Sequence, residues 1–383
     1  MRLLLTCCAF LVLSGAALGQ EDPAPGTRSL WTQLGVYNHA DDGDGNPFLD
    51  ESLTVVEPIF LWDHQVSEDW GYSIEFDYDY VSSASIERLS KFPEQSGASA
   101  DNYIGLKYSS RHRWNDAEKF SWNLGANGEY DYFSVGGGVA YESRDPETGG
   151  SDTWTLNSYF DSVDIIRFNG KGEGNDQRLS VTGNWSHSQP ITPLWTGTLS
   201  ALVSAQSGFL ETPYNAVVLE DSSFPNNPNL DNNAQGIEFS EELPDSRLKA
   251  SIKLTGRRSL GAGLAFELSG RAYSDDWGIT AFSTEPRIQW QVREDLRLRL
   301  RYRYYNQPEA DFYSEHFMGT VAGDLPKFYT QDSDLGAFDA HTLGVRADWL
   351  AEGLPNWSLD FNYTVRGDGL NYLATSIGYR RSF

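Results

Sequence analysis

Residues 296–307 read LRLRLRYRYYNQ. Leu296, Leu298, Leu300, Tyr302 and Tyr304 share one parity, and Arg297, Arg299, Arg301 and Arg303 share the other. Successive side chains of an extended strand point to opposite faces, so this stretch has one apolar face and one cationic face. A helix would mix the two sets. The same alternation sets Trp70, Tyr72, Ile74, Phe76, Tyr78 and Tyr80 against Ser73, Glu75, Asp77 and Asp79. It sets Trp357, Leu359, Phe361, Tyr363 and Val365 against Ser358, Asp360, Asn362, Thr364 and Arg366.

Working outward from these stretches, period two predicts sixteen strands: 30–38, 53–62, 70–81, 102–112, 120–127, 132–142, 153–163, 177–187, 195–205, 246–256, 264–273, 278–290, 296–306, 341–350, 357–365 and 372–383. The links between them alternate in length. The five longer than twelve residues (39–52, 82–100, 164–176, 206–245 and 307–340) all fall on one side, while the opposite links hold ten residues or fewer. Long external loops and short periplasmic turns are the pattern of an outer-membrane barrel, and an even count leaves both termini on the periplasmic side. The expected fold is all-β, a transmembrane antiparallel up-and-down barrel of about 16 strands.

Composition agrees. The 383 residues hold 20 Tyr, 20 Phe, 12 Trp and 36 Gly but only 2 Met, which suits strands and tight turns better than packed helices. Residues 1–19 read as a cleaved signal peptide: Arg2, an apolar run over 3–13, and small residues Ala16, Ala17 and Gly19 before the cut. Residues 20–383 then form a single barrel domain. Cys7 and Cys8 lie in the apolar run, so the exported chain carries no thiol chemistry. Beyond Gly19 no stretch approaches the ~18–20 apolar residues of a spanning helix, and mean hydropathy is -0.47. Trp70, Trp122, Trp154, Trp195, Trp290 and Trp357 stand beside the short turns, where amphipathic rings favour a membrane interface. Phe383 closes an alternating last strand, which resembles the signal read by the barrel-assembly machinery, although Arg381 puts a charge on the apolar parity. The expected setting is the outer membrane of a Gram-negative bacterium, in contact with its lipid and lipopolysaccharide.

Formal net charge is -25, or -26 once Arg2 is removed, and the links 39–52, 206–245 and 307–340 together carry -19 of it. Nucleic acid is excluded as a partner. The acid reads either as a solvated surface or as an attraction for divalent cations at an anionic leaflet. The DDGDGN run at 41–46 departs from a calcium loop, with Pro47 where Gly is needed and Leu53 where Glu belongs.

The face opposite the lipid parity holds the candidate functional residues. Lys249, Lys253, Arg271, Arg287, Arg297, Arg299, Arg301, Arg303, Arg346 and Arg366 line one side of the expected lumen, and Glu75, Asp77 and Asp79 the other. In a water-filled lumen such walls select solutes by charge. Alternatively the groups pair with one another, or with an inserted acidic loop.

Residues 301–313 (RYRYYNQPEADFY) followed by 329–335 (YTQDSDL) resemble the C-terminal signature of the bacterial domain-of-unknown-function 3570 family. LTVVEP at 53–58, SEDW ending at Trp70 and EYDYFS at 129–134 extend the resemblance across nearly the whole exported chain. It implies an outer-membrane barrel often found beside flavin-transfer and thioredoxin-like proteins, with Asp311, Phe312, Tyr313, Asp332 and Asp334 in its characteristic loop. It carries no catalytic residues. The long acidic 206–245 insertion departs from the family pattern.

No enzyme is expected. G-x-S-x-G, H-E-x-x-H and phosphate-loop motifs are absent, and no catalytic, metal or cofactor-binding residue is assigned. His316 and His341 are the histidines beside a long external link with several carboxylates. Three functions stay open: a pore or ligand-specific channel with a charged lumen, a sheath for a periplasmic or redox partner, and a rim enzyme.

Overall fold

The computed structural model describes residues 23–40, 52–81, 101–213, 215–220, 236–350 and 356–383. The expected signal peptide at 1–19, the DDGDGN turn, the 82–100 link, part of the 206–245 link and the turn at 351–355 lie outside the described residues.

The strands are β1 (Arg28–Ala40), β2 (Ser52–Gln65), β3 (Trp70–Val81), β4 (Asp101–Arg113), β5 (Glu118–Glu129), β6 (Tyr132–Arg144), β7 (Ser151–Ile166), β8 (Gly172–Thr192), β9 (Trp195–Gly208), β10 (Ala216–Glu220), β11 (Gly236–Ser240), β12 (Ser246–Gly261), β13 (Leu264–Asp275), β14 (Thr280–Arg293), β15 (Leu296–Gln307), β16 (Phe317–Met318), β17 (Phe338–Trp349), β18 (Asn356–Arg366) and β19 (Asn371–Ser382). All except β10, β11 and β16 join one closed barrel in chain order. Each neighbouring pair is antiparallel, and β1 seals the sheet against β19 from Ser29↔Ser382 to Ala40↔Asn371. Closure removes the unpaired sheet edge that would otherwise invite aggregation.

Every predicted strand is present. The apolar parity faces outward: Leu254 is 63 % exposed, Leu343 62 % and Leu300 52 %, values that suit contact with hydrocarbon rather than water. Trp154, Trp195, Trp290 and Trp357 are exposed on the same face near the short-turn end. Among the described residues no helix is long and apolar enough to cross a membrane.

Two long links differ from expectation. The 164–176 link shrinks to a tight connection at 167–171, because β7 and β8 pair out to Ile166↔Gly172. Arg167 fixes that extension through Glu173 at 2.7 Å and Glu211 at 2.7 Å. The 206–245 and 307–340 links are not simply a solvated acidic surface: they fold into a second sheet in the order β11-β10-β16. β10 is buried along its whole length, and Glu241 just beyond β11 is 1 % exposed.

The cap covers the barrel from within. Its core is Leu243, Trp277, Ile279, Ala281, Ala310 and Leu335, and Tyr273 of β13 and Tyr305 of β15 pack against it. Those tyrosines share parity with Arg271 and Arg303, so the loops rest on the inner wall at the long-loop end.

Candidate functional site: a polarised lumen beneath a cap

Because the leucine parity of β12 to β17 faces outward, the intervening cations face the lumen. Strand register then places like charges side by side. Lys253 lies opposite Arg271, Arg287 opposite Arg301 and Arg299 opposite Arg346. Directly opposed like charges destabilise a sheet. Residues two apart on a strand are separated by ~6.8 Å. Over ~7 Å each cation pair repels by about 0.6 kcal/mol in water and about 2.4 kcal/mol at an effective dielectric of 20. Left unneutralised, such pairs cost the barrel stability.

Some of these charges are neutralised locally. Arg287 pairs with Glu285 and with Glu267 at 3.1 Å. Arg346 pairs with Asp348 at 2.9 Å and Asp360 at 3.8 Å. Lys249 lies on the same wall, opposite Asp275. Arg297 donates to Gln291 at 3.1 Å and Arg299 to Gln289 at 3.3 Å, both neutral amides. Arg303 holds its guanidinium 5.2 Å from the Tyr305 ring centre. Arg301 keeps a buried Nε without a hydrogen-bond partner. Gly344 lies across from it, and a Cβ there would sit 2.7 Å from Arg301 Cγ. Among the described residues Lys253, Arg271, Arg297, Arg299, Arg301 and Arg303 have no carboxylate within ion-pair distance, and all but Arg297, which faces Asp348, have none opposite them in register either.

On the other wall Glu75, Asp77 and Asp79 face inward from β3. Glu57 of β2 joins them, alongside Asp79 between the pairs Val56↔Tyr80 and Ile59↔Asp77. Sequence reading missed Glu57 because Val55 and Ile59, on its own parity, are apolar; both are buried. Gly105 stands opposite Asp77, and a Cβ there would collide with the carboxylate. Asp79 has a buried Oδ1 without a partner. β2 and β12 are diametrically placed in the strand order. Among the described residues no ion pair joins Glu57, Glu75, Asp77 or Asp79 to Lys253, Arg271, Arg299, Arg301 or Arg303.

The family-like loop residues build the cap rather than the lumen wall. The backbone N–H of Asp311 donates to the Trp277 carbonyl at 2.9 Å, and Phe312 meets the Trp277 ring edge-on at 5.2 Å. Tyr313 packs against the cap core. Arg366 binds Asp334 at 2.5 Å and the Ser333 carbonyl at 2.9 Å, tying the cap to β18. Asp332 accepts from Asn215 at 3.0 Å. Asn215 also reaches Glu241, which accepts from Thr330 Oγ1 at 2.7 Å. Burial, and then the charge of Asp332, push the Glu241 carboxyl up to about 8. Across the cap, Val218 N–H donates to Gln331 at 2.7 Å.

His316 lies 2.6 Å from Glu220 within the cap. His341 shares the outward parity of Leu343 and meets the Tyr302 hydroxyl at 2.7 Å and Asp339 at 3.1 Å. Among the described residues no cluster of three or more His, Cys, Asp or Glu is arranged to hold a metal ion.

Residues 119–369 match the family described as "Protein of unknown function (DUF3570)". No curated protein matches. Among solved structures the chain is similar to the siderophore receptor PirA from Acinetobacter baumannii, at 9% identity and TM-score 0.48, over 91% of this chain and 54% of that one. It is similar to a mutant of the ferric enterobactin receptor PfeA from Pseudomonas aeruginosa, at 10% identity and TM-score 0.45, over 90% and 54%. It is also similar to the CymD monoaromatic hydrocarbon channel, at 11% identity and TM-score 0.43, over 94% and 89%. The chain spans about half the length of the two receptors.

Proposed function

Because this chain belongs to the DUF3570 family of outer-membrane-type barrels, and that family's description names no activity, we propose from its lumen that it is a channel for charged solutes, covered at the long-loop end by its cap. One observation carries this reading. Among the described residues five inward cations on one wall have no carboxylate within ion-pair distance or opposite them in register, while Glu57, Glu75, Asp77 and Asp79 stand on the other. No ion pair joins the two sets among the described residues, although Lys107 of β4 stands opposite Glu75 on the acidic wall. A wet lumen bearing such a transverse field discriminates ions by sign.

The test is single-channel recording of refolded protein in planar bilayers under a salt gradient. The cationic wall predicts ohmic conductance with anion preference, and Arg299→Glu shifts the reversal potential toward cations without abolishing current. Absence of current, in wild type and also after the cap residues are removed, would overturn the channel.

A further inference from the structure

We propose that Lys253, Arg271, Arg299, Arg301 and Arg303 form a binding site for a small multivalent oxyanion, a polycarboxylate or an oligophosphate. The inference rests on the channel reading in one respect: it takes the lumen as the route by which the ligand arrives.

Three observations carry it. First, among the described residues none of the five has a carboxylate within ion-pair distance, whereas neighbouring Arg287 and Arg346 each hold two. The β15 row and the Lys253–Arg271 pair therefore flank the neutralised Arg287 of β14. Second, Arg301 has a buried Nε with no acceptor. A buried guanidinium N–H left unmatched is costly, so the wall itself does not compensate this arginine. Third, four of the five are arginines, whose planar fork binds carboxylate or phosphate through paired hydrogen bonds. Tyr305 steadies the Arg303 fork from the side, at 5.2 Å.

Spacing selects the valence. Arg299, Arg301 and Arg303 alternate along β15, so their Cα atoms are set about 6.8 Å apart. Lys253 and Arg271 are directly paired, Arg271 two strands and Lys253 three strands from β15, at roughly 4.8 Å per strand. A monovalent anion meets one or two of these groups and leaves the rest repelling one another. An anion with three or more charges spread over several ångströms bridges them together.

Isothermal calorimetry on the refolded full-length barrel in non-ionic detergent tests this with inorganic pyrophosphate, citrate and acetate. Wild type is expected to bind pyrophosphate, citrate or both, with acetate at least tenfold weaker. The Arg299→Gln/Arg301→Gln double variant is expected to lose at least tenfold in affinity, while Glu75→Gln on the far wall binds as wild type does. Which of the two anions binds more tightly distinguishes a carboxylate from a phosphate ligand. If the double variant does not refold, Lys253→Gln and Arg303→Gln are used singly, each expected to lose about threefold. Equal affinity in wild type and lumen variants, or no binding of either multivalent anion at millimolar concentration, overturns the site. Binding needs no current, so a barrel that binds but never conducts sinks the channel and keeps the site, and the converse sinks only the site.

Discussion

At the scale of single residues, Glu241 is a buried acid whose capped form holds its proton. Its ordinary value of 4.5 is raised to about 8, first by burial and then by Asp332. A carboxyl with a raised value in the folded state favours that state fully below the ordinary value, and loses the advantage as pH climbs through the raised one. Cap stability from this group is therefore complete below about pH 4.5 and falls away as pH rises to about 8. Asp332 is shifted upward by burial too and acts in the same sense. Asp334 acts in the opposite sense: burial would raise it, but surrounding charges and hydrogen bonds, those of Arg366 among them, together hold it low, so its share is lost only in acid. Amide hydrogen exchange over 216–220, corrected for the intrinsic pH dependence, is expected to show protection dropping several-fold between pH 5 and 8. Glu241→Gln, which is neutral at every pH, should flatten most of that drop. An unchanged pH profile in the variant would mean that Glu241 is not what the cap senses. None of this was legible from composition. The acidic 206–245 segment reads as uniformly solvated because a net charge says nothing of which carboxyl is covered, and Asn215 and Thr330, which cover Glu241, lie far apart in the chain.

At the scale of elements, the barrel strands were legible because each faces two different media. Hydrocarbon on one side and water on the other impose period two, and residues 296–304 display it without exception. β10 has no such asymmetry. Ala216, Val217, Val218 and Leu219 are all buried, so the strand reads as a short apolar island, AVVL, in an acidic loop. A run of that kind is the signal for a strand covered on both faces, and it was available in the sequence. The strand makes a direct target. Val218→Pro removes the N–H that donates to Gln331 and places a rigid ring in a fully packed strand. The loss should be about 3 kcal/mol, drawn from the cap and not from the barrel ladder. A glutamate-directed protease should then cut at Glu220 or Glu238 in the variant at least tenfold faster than in wild type. Migration of the unheated, folded barrel on gels should be unchanged. Equal cleavage rates would show that β10 does not hold the cap together.

At the scale of the whole molecule, the strand count and the one-sided long links predicted closure, and the lumen inherits its charge from whichever strands closure brings face to face. Parity alone could place Arg299 inside; it could not say that Gln289, rather than a carboxylate, would be its neighbour. Partnering depends on register between strands, and register is set jointly by every turn around the barrel. The resulting wall of like charges makes stability a function of salt. With ~6.8 Å between alternate residues, the arginines repel fully when the screening length is about 30 Å, at 0.01 M salt, and far less when it is near 5 Å, at about 0.5 M. The urea midpoint of wild type in non-ionic detergent should therefore rise as sodium chloride is raised over that range. Arg301→Gln removes one cation from the middle of the row. It should stabilise the barrel by about 1 kcal/mol at low salt and by little at high salt, so its midpoint climbs less steeply. The acidic exterior is screened equally in both proteins, so the difference in slope isolates the lumen. Parallel slopes would mean that the Arg299–Arg303 row is neutralised by groups other than the neutral amides and the tyrosine ring seen beside it.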